Sequence, residues 1–138
     1  MMQMSFFDST SIPVLQEVVE FTEARHSVLA GNIANLDTPG YRTRDLSVET
    51  FQDRLREAIE ARQERSESIS PGILSTPADS ALRQVSDSTE SILYHDESNV
   101  GVEQQVLEIS KNQFMHNMAV TIMSHQFRLL QAAVRETI

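Results

Sequence analysis

The sequence predicts a mainly α fold. Long N- and C-terminal helices pair as a coiled-coil-like bundle, with a short middle helix and an irregular central segment between them. Three observations carry this. Ile12, Leu15, Val19, Thr22, His26, Leu29 and Ile33 follow an alternating 3,4 spacing, the a/d signature of a helix seam. Val106, Ile109, Gln113, His116, Val120, Met123, Phe127, Leu130 and Val134 keep the same spacing without a slip. Between the two, residues 66–91 hold ten Ser or Thr, with Pro71, Gly72 and Pro77, and show no sustained period.

The first helix is expected over 10–35. Thr10 or Ser11 can cap it, and Pro13 lies in the first turn, where its missing N–H costs nothing. Pro39 blocks its continuation and pushes Thr38 out of the α region. A second apolar stripe, Val14, Val18, Phe21 and Val28, runs beside the seam. Residues 36–46 form a turn motif. Pro39-Gly40 fits the central positions of a type II turn, with Gly supplying the positive φ. Asn32 and Asn35, three apart at the helix end, share a face. Their amides can cap free carbonyls or bridge to a neighbouring backbone.

A short amphipathic helix is expected over 47–65, with Val48, Phe51, Leu55 and Ile59 on one face. Residues 66–91 have too little apolar surface to offset their ordering entropy and read as flexible or irregular. Ile92-Leu93-Tyr94 reads as a short extended piece. The last helix spans 101–137, roughly 50 Å at about 1.5 Å per residue. It too has a second stripe, Met115, Met118, Ile122, Leu129 and Ala133. The five elements make one domain, 1–138.

Composition narrows the function. The chain carries 20 Asp and Glu against 11 Lys and Arg, so nucleic acid is not an expected partner, because neutralising phosphates takes clustered cations. The last 38 residues hold three acids and three fixed bases, so the net charge of −9 lies in the first hundred. With no cysteine there is no disulfide or thiolate metal site. Few aromatics and no Trp make a dense aromatic core unexpected. Residues 1–10 have neither a basic n-region nor an apolar h-region, so no secretory signal is expected there.

His26, His95, His116 and His125 form no local metal signature. His26 and His116 fall on the two seams and would face each other in an antiparallel pair. The carboxylates near the start of the last helix read as a solvated face. No nucleophile elbow, phosphate loop or dinucleotide fingerprint occurs. No catalytic, cofactor or small-molecule site is therefore expected. A small hydrolase built on His and carboxylates is the weakest of the competing readings.

Two apolar stripes on each long helix are more than a hairpin can hide. Each exposed Leu, Ile or Phe forgoes about 1.5–3 kcal/mol of burial. Either the middle helix covers the surplus in a three-helix bundle, or other protein chains do. The heptad continuity favours association.

Asn32-Ile33-Ala34-Asn35, then Thr38-Pro39-Gly40-Tyr41, resembles the N-terminal signature of the flagellar rod, hook and hook-associated family. Within it the chain is most similar to the short rod proteins. It lacks the length for inserted β-rich domains. Asp37, Arg44-Asp45, Asn99-Val100, Lys111-Asn112-Gln113-Phe114 and Asn117 fit their version of the pattern. The resemblance covers about 12–60 and 92–135. Gly31, His116 and Gly101 depart from it, standing where Ser, an aromatic and an acidic residue are usual.

The resemblance implies a structural subunit of the proximal rod of the bacterial flagellar basal body, assembling through its terminal helices and transmitting torque in motility. It implies as partners copies of itself, FlgC-like rod subunits, a FliE-like adaptor, the membrane ring and the flagellar type III export apparatus. Export would need no cleaved signal peptide. A FlgC-like identity is the nearest alternative, although its Ser-Gly-Leu segment is absent from the first helix here. A cytoplasmic coiled-coil adaptor or export chaperone is the alternative from another class.

Overall fold

The computed structural model describes residues 10–68, 82, 85, 91–93 and 101–136. Helix α1 spans Ile12–Ala34, strand β1 Arg44–Leu46, helix α2 Val48–Ser68, strand β2 Ser91–Leu93 and helix α3 Val102–Glu136. The mainly α reading holds, with the long terminal helices packed on each other and the middle helix between them in sequence. The middle helix runs three residues past its expected end. Most of 66–91, and Tyr94, lie outside the described residues.

Local chemistry sets each boundary. Pro13 occupies the first turn of α1, and the Ile12 N–H reaches the Thr10 hydroxyl at 3.4 Å. Past its end, the Tyr41 N–H donates to the Thr38 carbonyl at 3.2 Å and Gly40 takes φ +76°, as the type II turn requires. Ser47 caps α2, its hydroxyl accepting the Thr50 N–H at 3.1 Å. β1 pairs antiparallel with β2, Asp45 opposite Ile92.

The apolar core lies between α1 and α2. The rings of Phe21 and Phe51 stack with centroids 4.0 Å apart, joined by Ala58, Leu82 and Val85. Val14, Val18 and Leu55 pack around them. The middle helix thus helps cover Val14, Val18 and Phe21 of the second stripe of α1. Leu82 and Val85 come from the stretch whose Ser/Thr content hides them in sequence, and both are buried.

α3 runs antiparallel to α1. Asn32 meets Gln105, Arg25 meets Glu108, and Thr22 meets Asn112 and His116. At 1.5 Å per residue α1 is roughly 34 Å long and α3 roughly 52 Å. Continuing the register places Ile12 near residues 124–126, so the last turns of α3 extend beyond α1.

Candidate assembly surface

The stretch from Asn32 to Tyr41 is an internal lock. The Asn32 side chain is 0% exposed and saturated with partners. Its Nδ2 donates to the Arg44 carbonyl and to Gln105 Oε1 at 3.1 Å. Its Oδ1 accepts the Arg44 N–H at 3.1 Å and the Tyr41 hydroxyl at 3.2 Å. One amide thus bonds both main-chain groups of Arg44, as a neighbouring strand would, and ties β1 to α1 and α3. Asn35 does the other expected job: its Nδ2 caps the Gly31 carbonyl at 2.9 Å, and the Thr38 hydroxyl donates to its Oδ1 at 3.3 Å. Ile33 and Tyr41 are half-buried; Ala34, Thr38, Pro39 and Gly40 are exposed.

Beside the lock sits a charge cluster. Arg25, 5% exposed, donates from Nε to Asp45 Oδ1 at 2.8 Å and from Nη2 to Asp45 Oδ2 at 2.7 Å. The same Nη2 reaches Glu108 Oε2 at 2.7 Å, and Lys111 Nζ holds Glu108 Oε1 at 2.9 Å. The Asp45 hydrogen bond, helped by Glu108, outweighs burial and raises the Arg25 pKa further, so it stays charged. Hydrogen bonds from Lys111 and then Arg25 hold the Glu108 carboxyl below its ordinary value. Sequence reading singled out neither Arg25 nor Glu108 as members of such a cluster, because their partners come from three separate segments.

The seam between α1 and α3 is set differently from the heptad reading. The inward face of α3 carries Gln105, Asn112 and Ala119, all buried, with Ile109, His116, Met123 and Leu130 half-buried beside them. On α1, Ile12 and Leu29 are buried and Leu15 and Val19 half-buried, whereas the expected seam residue His26 is exposed. Arg25 and Asn32 take the inward positions instead. The physical reason is hydrogen bonding: buried polar groups on both helices are matched to each other. The sequence signal for this face is the seven-residue spacing of Gln105, Asn112, Ala119 and Gln126.

The other half of the expected seam points outward. Val106, Val120, Phe127 and Val134 are exposed, as are Val102, Leu107, Phe114, Met118, Ile122 and Leu129, with Phe114 reaching 70%. The exposed large apolar side chains among the described residues all lie on α3. Such a surface on one helix marks an interaction site.

A small cleft of about 180 Å³ opens on the seam, lined by Thr22, Glu23, His26, Asn112, Gln113 and His116. It brings the two seam histidines together, as expected for an antiparallel pair. The Thr22 hydroxyl donates to the Val19 carbonyl at 2.9 Å and lies 3.0 Å from His116 Nδ1. With its one proton so used, His116 is the donor to Thr22. Among the described residues no group of three or more His, Cys, Asp or Glu is arranged to hold a metal, and no helix is long and apolar enough to cross a membrane.

No family model matches the chain. It is similar to curated proteins named flagellar basal body rod protein FlgB. It is 28% identical to that of Salmonella typhimurium, over 82% of this chain and 84% of the relative. It is 26% identical to that of Borrelia hermsii, over 91% and 96%, and 25% identical to that of Bacillus subtilis, over 95% and 97%. Nearly full-length likeness to relatives of one name, from three distant bacteria, agrees with the motif that Asn32 anchors. Over most of its length the chain is thus similar to proteins of the flagellar basal-body rod that carry the name FlgB.

Proposed function

We infer that this chain is a structural subunit of the proximal rod of the flagellar basal body, self-assembling through its terminal helices and transmitting torque in motility. The observation that carries the reading is the exposed apolar face of α3. A 35-residue helix with ten large apolar side chains in water, on a chain similar to rod proteins, is suited to burial among neighbouring subunits.

The reading extends to parts that rest on the resemblance. The neighbours are copies of this chain, FlgC-like rod subunits, a FliE-like adaptor and the membrane ring. The chain reaches the basal body through the flagellar type III export apparatus, with no cleaved signal peptide. It carries no catalysis, cofactor, nucleic acid or small-molecule substrate; its relatives bear structural names, and His116 is engaged with Thr22. The helix-packing residues are Ile12, Leu15, Val19 and Leu29 on the first helix. On the last they are Val106, Ile109, Val120, Met123, Phe127, Leu130 and Val134. The motif from Asn32 to Tyr41 shapes the subunit so that these faces are presented.

The test is complementation. In a strain whose sole copy lacks 105–138, we expect no motility and no chain in purified basal bodies. Motile cells carrying that truncation would sink the reading. Recovery of the full chain in the cytosol alone would favour the adaptor alternative.

A further inference from the structure

We propose that the polar seam between α1 and α3 is a register lock, which sets the rotation of α3 so that its apolar stripes face neighbouring subunits. The proposal rests on the rod-subunit reading and adds a role for residues that reading does not use.

α3 is built inside out. Its inward face carries Gln105, Glu108, Asn112 and His116, one residue at each successive turn. Each bonds across to α1: Gln105 to Asn32, Glu108 to Arg25, Asn112 to the Thr22 carbonyl at 2.7 Å, His116 to the Thr22 hydroxyl. Meanwhile Val106, Val120 and Phe127, each one residue on from Gln105, Ala119 and Gln126, stay in solvent. Turning α3 by about 50°, to the heptad setting, would bring Val120 and Phe127 inward while Ile109, Met123 and Leu130 stay there, and would bury more apolar surface. Burial alone therefore favours the turned helix, and the polar matches oppose it.

Those matches admit one setting. Sliding α3 by four residues one way puts Ile109 opposite Asn32 and Asn112 opposite Arg25. Sliding it four the other way puts Gly101 and Gln104 there. In both, the buried Asn32 amide loses its acceptor on α3 and keeps only the Arg44 carbonyl, and Arg25 keeps Asp45 as its one carboxylate. A seven-residue slide sets Met115 against Arg25 and Ala119 against Thr22. A buried donor or charge left without its partner is penalised far more than the matched bond is rewarded. Buried polar residues in helical seams commonly act in this way, favouring one register over its competitors at some expense of stability. The Asn112 Oδ1 supports that view, since it is buried without a hydrogen-bond partner in the native setting. Asn112 is not the side chain that stability alone would select there.

The test replaces the lock with apolar residues in the full chain, Gln105→Leu with Asn112→Leu. Spin labels on exposed Ala30→Cys and Ser110→Cys report the register, at the concentration where helix content is greatest. We expect a melting temperature within about 5 °C of the parent's, the Asn32 donor orphaned by Gln105→Leu being offset by the two buried leucines, and a distance distribution at least twice as broad as the parent's. As sole copy, the variant should cut swarm diameter severalfold and be depleted from basal bodies. A single narrow distance like the parent's, or full motility, would overturn the proposal. So would a melting temperature lowered by more than about 5 °C with loss of helix, because the seam would then be ordinary stabilisation. A parallel variant, Val120→Asp with Phe127→Asp, probes the rod reading itself: full motility there defeats that reading, whatever the seam variant does.

Discussion

At the residue scale, the motif's amides differ in what they can lose. Asn32 satisfies two donors and two acceptors at a fully buried site. Asn32→Asp keeps the shape and the acceptors but cannot donate to Arg44 or Gln105. Each buried group left unpaired costs about 1–3 kcal/mol, so the variant should lose at least 2 kcal/mol, read as a lowered denaturation midpoint. Asn35 is half-buried and caps one carbonyl, and Asn35→Ala should cost about 1 kcal/mol. Gly31 should behave in the opposite sense. A Cβ there would meet only the Tyr41 hydroxyl, at an ordinary 3.9 Å, and the residue is helical. Gly31→Ala should stabilise the chain by about 0.5–1 kcal/mol, raising the melting temperature a few degrees. Gly40 is the glycine that must stay, because its φ of +76° suits no other side chain well; Gly40→Ala should cost about 1 kcal/mol or more.

At the element scale, Arg25 joins α1, β1 and α3 through two carboxylates. Removing it leaves Asp45 buried with no counter-charge, so Arg25→Met should destabilise by about 3–5 kcal/mol, and adding Asp45→Leu should recover part of that loss. The pH dependence follows from Glu108. Its pKa is lower in the folded chain than in the unfolded one, so its contribution is fully present above the ordinary carboxylate range and is lost as pH falls through the folded value. Arg25 is shifted upward from an already high value and does not titrate in that window. Acid titration of the circular dichroism signal should therefore show stability falling below about pH 4.5, with a shallower fall in Glu108→Gln. This cluster also shows where sequence reading stops. Helix extents, the type II turn and the capping amides were legible because each depends on residues within a few positions. The α1–α3 seam was legible in period but not in rotation, since apolar counting favours Val106 and Val120 over Gln105 and Asn112. Only the cross-chain matches, 73 residues apart for Asn32 and Gln105, decide between them. Leu82 and Val85 were missed for the reverse reason: two apolar residues in a Ser-rich stretch form no period, yet both complete the core beside Phe51.

At the scale of the whole molecule, the two ends differ in how far they depend on neighbours. Val14, Val18 and Phe21 of α1 are covered by α2 together with Leu82 and Val85, so 12–60 has its core within one chain. α3 contributes Met115 and Ala119 to buried surroundings but leaves ten large apolar side chains outside, and its last turns run past α1. Helix formation there gains little from packing in an isolated chain, and a stretch of about ten residues is marginal in water on its own. Helix content should therefore rise with concentration, and amide exchange should show which part rises. Residues 12–60 should be protected at all concentrations, and 120–136 only where chains associate. The three acids and three bases of the last 38 residues cancel, so salt should not weaken this association as it would a charge-driven one. Val120→Asp should raise the association midpoint about tenfold or more, by removing one apolar contact and burying a carboxylate. Cooperative melting of a monomer with uniform protection along α3, unchanged across a hundredfold range of concentration, would mean that the exposed stripes have no part in assembly.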